Sequence, residues 1–206
     1  MWAPDYVTTA ELAAFMRISD NLDDAQLARA VTAASRAIDQ ATGRQFGLVA
    51  APEARYYTLA YDSRKCRWFA DIDDLMTDTG LALAYDSDDD GGFATTVDTG
   101  DVVLDPRNAA AKSEPWTRLW VRPGSTATVG AVQDGLRVTA RWGWSAVPTA
   151  IVEAALLQAS RVASRRDSPY GIAGTGEQAP ALRILSKVDP DVEVAVRPYV
   201  RLWGAA

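Results

Sequence analysis

The run DSDDDGGF is the part of the chain whose residue types and spacing best suit a metal ion. It fills the first, third, fifth and sixth positions of a calcium-binding loop with Asp86, Asp88, Asp90 and Gly91. The twelfth position should be a bidentate glutamate but is Val97, and the flanking runs LALAY and FATTV are typical of strands rather than helices. We therefore expect a hairpin turn with an acidic tip and no metal site, with weak cation binding as the alternative.

The glycine-rich run GIAGTG, residues 171–176, is the second candidate for chemistry. Closely spaced glycines cradle a phosphate when they follow a strand and open a helix. Here they follow the end of a predicted helix, where the helix dipole is negative and disfavours phosphate. The chain also has no G-x-x-x-x-G-K-[ST] run. We expect this segment to be a loop that becomes ordered against a partner rather than a nucleotide site.

Side chains suited to catalysis are scarce. The 206 residues include no histidine, which excludes Ser-His-Asp and Cys-His catalysis and histidine-ligated zinc or haem. The single cysteine, Cys66, can form neither an internal disulfide nor a cysteine-based zinc site. Carboxylates are plentiful, but a run such as Asp71, Asp73 and Asp74 is usually a solvated face. We predict a non-enzymatic protein with no cofactor.

The formal net charge of −6 opposes binding to nucleic acid on average. The charge is unevenly spread: residues 71–101 carry ten aspartates and no lysine or arginine, whereas residues 161–201 carry seven basic and five acidic residues. The first residues have neither the basic start nor the apolar core of a signal peptide. Uncharged stretches such as 142–152 are about half as long as a membrane span. We expect a soluble, intracellular protein with no membrane partner.

Capping signals predict the first helix near 8–17. The run TTAE has the form of a capping box, with Thr8 as the N-cap and Glu11 three residues later. The residues expected to be buried on this helix are Leu12, Phe15 and Met16. Its short length means that packing, rather than helix propensity, must hold it in place.

A second helix is predicted near 23–42. Asp23 would be its N-cap, with Gln26 completing the capping box and Leu22 placed as a hydrophobic staple. Gly43 would end the helix. Apolar residues at three-and-four spacing predict the buried face, which comprises Leu27, Ala30, Val31, Ala34 and Ile38.

A third helix is predicted near 148–166, since Pro148 suits a first helical turn. Its apolar face is broad, which implies burial on more than one side. That face comprises Ile151, Val152, Ala155, Leu156, Leu157, Ala159 and Val162. Further on, Asp189 and Pro190 form a good helix start, and the tail DVEVAVRPYVRLWG fits either a strand or a helix. We predict a short helix there.

Between the helices the pattern changes to short runs rich in β-branched and aromatic residues, punctuated by turn residues. The runs RYYTLAYD, CRWFADI, LALAYD, TTVDTGDVVLD, TRLWVR and LRVTARWGW are typical of antiparallel strands. We predict an α+β fold formed by a single domain, 1–206. It comprises N-terminal helices in 1–52, an antiparallel β-rich insertion in 53–144, and a long helix after residue 147 with the glycine-rich loop and C-terminal segment in 145–206.

Side chains that anchor protein interfaces concentrate towards the C-terminal part of the sequence. Trp, Tyr and Arg dominate interface energetics, and Trp203 is hard to bury in its own domain, although core packing is the alternative for the aromatic residues. A glycine-rich loop is costly to order until a partner docks on it. The predicted partner-binding residues are Arg165, Arg166, Asp167, Ser168, Pro169, Tyr170, Gly171, Arg197, Tyr199, Arg201 and Trp203. We expect removal of residues 199–206 to leave the core folded.

The order of these features resembles the head-to-tail connector, or adaptor, proteins of long-tailed double-stranded-DNA phages. The resemblance covers nearly the whole chain. It is carried by the helical pair TTAELAAFMRI…DDAQLARAVTAASRAIDQATGRQFG, by the hairpin DSDDDGGFATTVDTGDVVLDPRNA followed by PWTRLW, by RWGWSAVPTAIVEAALLQASRVASRRDSPYGIAG, and by the closing run SKVDPDVEVAVRPYVRL. No single motif among them is diagnostic.

The resemblance implies a structural virion protein of the neck, at the head-tail junction, made in the host cytoplasm during assembly. It implies a helical core decorated by a β-rich insertion and assembled as a ring, commonly a dodecamer. Its partners would be the portal protein, a stopper or tail-completion protein, and further copies of itself. DNA would pass through the channel without specific binding, because net negative charge repeated around a ring would not grip the duplex.

A different class of function is the alternative. The aspartates of 86–90 could serve a cation-dependent β-rich binding or hydrolytic module. A rise in melting temperature with millimolar calcium, absent in a chelator, would favour that function. A nucleic-acid binder is disfavoured by the charge, and the sequence has no evident basic platform with aromatic residues.

Overall fold

The computed structural model describes residues 3–20, 22–125, 129–165, 172–173, 182–183 and 189–201. The chain forms two compact units. A helical unit is built from Met1–Phe46 and Val147–Ala206, and a β unit is built from Gly47–Ala146. Helices and antiparallel sheets are thus segregated along the chain, which confirms the predicted α+β fold class.

The helices lie within two residues of the predicted ranges. They are α1 (Thr9–Met16), α2 (Asp24–Thr42), α3 (Thr149–Ser164) and α4 (Pro190–Val196), the last continuing into a 3₁₀ turn over Arg197–Tyr199. The C-terminal helix predicted from the tail is therefore confirmed. Within the described ranges, no helix is both long and apolar enough to span a membrane.

Helix α1 begins at the predicted capping box. The Thr8 hydroxyl accepts from the Glu11 N–H, and the Glu11 carboxylate accepts from the Thr8 N–H at 2.7 Å. The bond from the Thr8 N–H is also the main reason why the pKa of Glu11 is lowered. Leu12 is buried as predicted, but Phe15 is 44% exposed. The prediction for Phe15 was wrong because this short helix turns only its Leu12 face towards the core.

Helix α2 buries the predicted face, but its start differs from the prediction. Asp23 is the N-cap, yet its side chain makes no capping hydrogen bond. Leu22 is 86% exposed and does not act as a staple. The helix ends as expected at Gly43, whose φ of 65° is the left-handed conformation that glycine adopts without strain. Its buried residues include Leu27, Ala30, Val31, Ala34 and Ile38.

Helix α3 has more apolar surface than its described surroundings cover. Its fully buried residues are Ile151, Ala154, Ala155 and Ala159, and these small side chains permit close packing against α2. Val152, Leu156 and Val162 are only half-buried, and Leu157 is 39% exposed. The broad face predicted from the sequence is real, but one side of it faces away from the core of this subunit.

Phe46 joins the two terminal segments of the helical unit at the end of α2. The rings of Tyr6 and Tyr199 both pack edge-on against the buried Phe46 ring, with centroid distances of 5.6 and 5.7 Å. The Tyr6 hydroxyl donates to Asp39 and accepts from the Phe46 N–H. Burial, and then the bond to Asp39, raise the pKa of Tyr6 far above its usual value, so this hydroxyl stays protonated.

The β unit contains two four-stranded antiparallel sheets. The first has the order β1-β8-β4-β5 and the second has the order β2-β3-β7-β6. The strands are β1 (Glu53–Tyr57), β2 (Ala60–Asp62), β3 (Arg67–Leu75), β4 (Ala82–Tyr85), β5 (Thr95–Val97), β6 (Val102–Asp105), β7 (Trp116–Val121) and β8 (Leu136–Ala140). In the helical unit, β9 (Ile172–Ala173) pairs with β10 (Leu182–Arg183).

Two of the predicted strand runs each divide between the two sheets. RYYTLAYD forms β1 and β2, and TTVDTGDVVLD forms β5 and β6. In the second case a 3₁₀ turn, Thr99–Asp101, separates the strands and is capped by Asp98, whose carboxylate accepts from the Gly100 N–H at 2.7 Å. A four-residue turn signal inside an apolar run thus moves the chain from one sheet to the other.

The core of the β unit is fastened by two tryptophans that use their indole N–H groups. Trp142 is 1% exposed and donates to the Glu53 carbonyl at 2.8 Å. Trp144 is 4% exposed and donates at 2.8 Å to the buried carboxylate of Asp74. Burying a tryptophan is favourable only when this polar group finds a partner, and both residues satisfy that condition.

Candidate functional site

The aspartate run forms the turn between β4 and β5, as predicted. Carboxylate oxygens of Asp86, Asp88 and Asp90 lie within 4.8 Å of one another. Asp86, however, is 4% exposed and accepts from the Gly91 N–H at 2.8 Å, so its carboxylate already closes the turn. Val97, at the position where calcium loops carry a glutamate, is buried in β5. The geometry is that of a hairpin turn.

We expect the double variant D88N/D90N to change the free energy of unfolding by less than ~0.5 kcal/mol, since both side chains are exposed. D86A should cost about 1–2 kcal/mol because it removes the acceptor for backbone N–H groups of the turn. Urea titrations followed by circular dichroism measure both effects. A large loss in D88N/D90N, together with calcium stabilisation of the parent protein only, would show instead that the turn holds a cation.

The first part of the predicted partner-binding surface begins where α3 ends. Arg165 is exposed and follows the last helical residue, and its N–H closes the final turn of the helix. One turn earlier, the Arg161 guanidinium donates to Asp189 at 3.1 Å, so the chain leaves and rejoins the helical unit at neighbouring points. Residues 166–171 of the prediction lie outside the described residues.

The second part of the predicted surface, at the C-terminal segment, is partly built into the helical unit. Arg197 is exposed. Tyr199 is half-buried, with its ring against Phe46 and its carbonyl accepting from the Arg44 guanidinium at 2.8 Å. The Arg201 N–H donates to the Thr42 carbonyl at 2.7 Å, which satisfies one of the free carbonyls at the end of α2. Trp203 lies outside the described residues.

These two parts lie at opposite ends of the helical unit. Residues 162–164 of α3 line a groove together with Asp23 and Gln26 at the start of α2, so Arg165 is near that start. Arg201 is hydrogen-bonded to the last residue of α2 instead. Helix α2 has 19 residues and is therefore about 28 Å long. The predicted residues form two surfaces rather than one.

The groove itself is a candidate surface that the sequence analysis missed. It has a volume of about 620 Å³ and lies between the ends of α1 and α3 and the start of α2. Its apolar lining includes Met16, Ile18, Leu27 and Val162. The available signal was the excess width of the apolar face on α3, together with the alanines of α2, whose small side chains leave the groove unfilled.

Comparison with known proteins gives one informative likeness. No protein-family model matches the chain, and no curated protein sequence matches it. Among solved structures, the chain is similar to a chain in the neck of an empty GTA particle, a structure computed with C6 symmetry. The match has a TM-score of 0.54 and covers 100% of this chain and 96% of that chain, with 20% sequence identity. The two chains share a fold.

Proposed function

We propose that the protein is a structural component of the neck of a phage-like particle. In this role it is a head-to-tail connector, or adaptor, that forms a ring between the portal and the stopper or tail proteins. The ring surrounds a channel through which DNA passes. The role is non-enzymatic, and its partners are proteins, including further copies of the same chain.

The main support is the end-to-end likeness to a neck chain of a GTA, or gene transfer agent, particle. Because both the helical unit and the β unit fall within the match, the likeness concerns the whole architecture and not one common motif. The fold alone does not determine function. The resemblance of the sequence runs to phage connector proteins points independently to the same place in a particle.

The separation of the two candidate surfaces also supports a ring. A closed ring is built from head-to-tail contacts, in which one surface of a subunit meets a different surface of its neighbour. The helical unit offers two such surfaces about 28 Å apart, one beside Arg165 and the groove and one around Arg197. A subunit with its binding residues in one patch would favour a symmetric dimer instead.

Charge is consistent with a channel that lets DNA slide. The net charge of −6 per subunit is repeated around a ring, and phosphate contacts are what make DNA binding strong. The described part of the chain also has no ligand set of the kind used by hydrolytic metal enzymes except the acidic turn, whose buried carboxylate already holds the backbone.

The decisive experiment is the mass of the purified protein in solution, alone and mixed with a purified portal ring, by light scattering or native mass spectrometry. We expect a complex that contains one portal ring and a fixed whole number of subunits. A mixture in which every species has the mass of its separate components would contradict the proposal. The same measurement in high salt separates specific assembly from loose electrostatic attraction.

A further inference from the structure

Strand β6 has an open edge. It is the last strand in the order β2-β3-β7-β6 and pairs only with β7. A groove of about 500 Å³ runs beside it, lined by apolar parts of Leu81, Val103, Leu104 and Trp116. An open edge next to an apolar groove is the arrangement by which sheets accept an additional strand from another polypeptide.

The hydrogen-bonding pattern shows which backbone groups of β6 face the groove. The Arg122 N–H donates to the Asp101 carbonyl at 2.7 Å, so these residues form a hydrogen-bonded pair at the start of the ladder. Such pairs alternate with non-hydrogen-bonded ones in an antiparallel sheet. Leu104 is three positions further and opposite Leu119, so it belongs to the second kind. Its N–H and carbonyl point away from β7.

Those two groups are available to a partner. Within the described residues, neither the N–H nor the carbonyl of Leu104 has a backbone hydrogen-bond partner. Leu104 is half-buried, so one side of this backbone is already shielded from water. A hydrogen bond formed at a partly desolvated site is stronger than one formed in open water.

The charges beside the groove indicate the chemistry of the occupant. Arg122 follows β7 beside the start of β6, and Arg107 follows the end of β6, so an arginine lies at each end of the strand. Both are exposed, and no ion pair to either is found in the described part of the chain. Asp78 is the acidic residue of the lining. Two arginines against one aspartate favour an acidic partner.

We propose that β6 is a docking edge for an extended segment of a partner protein, one that carries a short apolar run with a carboxylate at each end. The segment adds to the sheet as a strand antiparallel or parallel to β6 and exchanges hydrogen bonds with the backbone of Leu104. Its carboxylates meet Arg107 and Arg122. This interaction goes beyond the proposed neck role and does not rest on it, because it concerns the isolated subunit.

The test is a titration of the isotope-labelled full chain with the peptide acetyl-EVTVE-amide, followed by NMR. We expect the amide signals of Val103, Leu104 and Asp105 to shift progressively at millimolar peptide. Unchanged signals at these positions would overturn the proposal. Shifts of the same signals on raising the protein concentration without peptide would also overturn it, since the occupant would then be a second copy of this chain.

Two variants separate the backbone and charge contributions. L104P removes the outward N–H, and proline is tolerated in an edge strand where that group faces solvent. It should abolish the shifts, whereas the control L104A should retain most of them. R107E/R122E leaves the strand intact and should weaken binding about tenfold or more. Binding unchanged in R107E/R122E would overturn the proposed acidic partner, even if L104P failed to fold.

Discussion

The double charge reversal R165E/R166E should abolish assembly with the portal or with neighbouring subunits while the subunit stays folded. Arg165 is exposed at the end of α3, so its replacement removes no packing from the core. Arginines at a protein interface are frequently among its strongest contacts, and like charges placed across an interface cost several kcal/mol. Because a ring repeats each contact at every subunit, a moderate loss per contact prevents closure.

Sedimentation of the variant with and without a portal ring measures this effect, and circular dichroism confirms that the variant is folded. R64E/R67E is the matched control, because it makes the same change of charge at two exposed arginines between β2 and β3. Assembly of R165E/R166E at the parental level would place the interface elsewhere. Equal loss in both variants would show that only the total charge matters.

The structure also changes the design of a C-terminal truncation. Removing residues 199–206 would take away the Tyr199 ring that packs on Phe46 and the carbonyl that accepts from Arg44. It would also free the Thr42 carbonyl that Arg201 satisfies. The expectation that this deletion leaves the core untouched is therefore replaced by an expected loss of stability. A deletion that begins at residue 202 retains these contacts and is the better test.

The largest effect on stability is expected for W142A. Trp142 is 1% exposed, its ring lies 5.8 Å from that of Tyr57, and the Arg55 guanidinium stacks over it at 4.9 Å. Its removal leaves a cavity and an unpaired Glu53 carbonyl, and should cost about 3–5 kcal/mol. That is a large share of the roughly 5–15 kcal/mol that stabilises a domain.

Urea denaturation followed by circular dichroism tests this prediction. Y61A is the control, since Tyr61 is 51% exposed and its main contact is the ring of Trp68 at 5.1 Å. It should cost about 1 kcal/mol or less. Equal losses in the two variants would contradict the view that Trp142 holds the core of the β unit.

Features that depend on neighbours in the sequence could be predicted without the structure. The capping box of Thr8 and Glu11 and the stop at Gly43 arise from contacts within a few residues, and both are present. Leu22 and Phe15 were mispredicted because their burial depends on what lies opposite them, which helical spacing does not specify. The division of TTVDTGDVVLD between two sheets failed for the same reason, since both halves have the composition of one strand.

The candidate surfaces were harder to predict than the fold. Tyr199 has the composition of an interface anchor, but its partners Arg44 and Phe46 are far away in sequence, so its half-buried position could not be inferred. The distance between the two surfaces follows from the antiparallel packing of α2 and α3, which no local pattern encodes. The open edge of β6 likewise became visible only when the strand order was known.

The meeting of Tyr6 and Tyr199 on one Phe46 ring determines how the molecule would respond to mechanical tension. A pull applied through the two terminal segments would load this aromatic clasp first, together with the bond between Arg201 and Thr42. The β unit, from Gly47 to Ala146, branches from the chain inside the clasp and would bear no load until the clasp opened. A pulling experiment should therefore show rupture of the clasp before extension of the sheets.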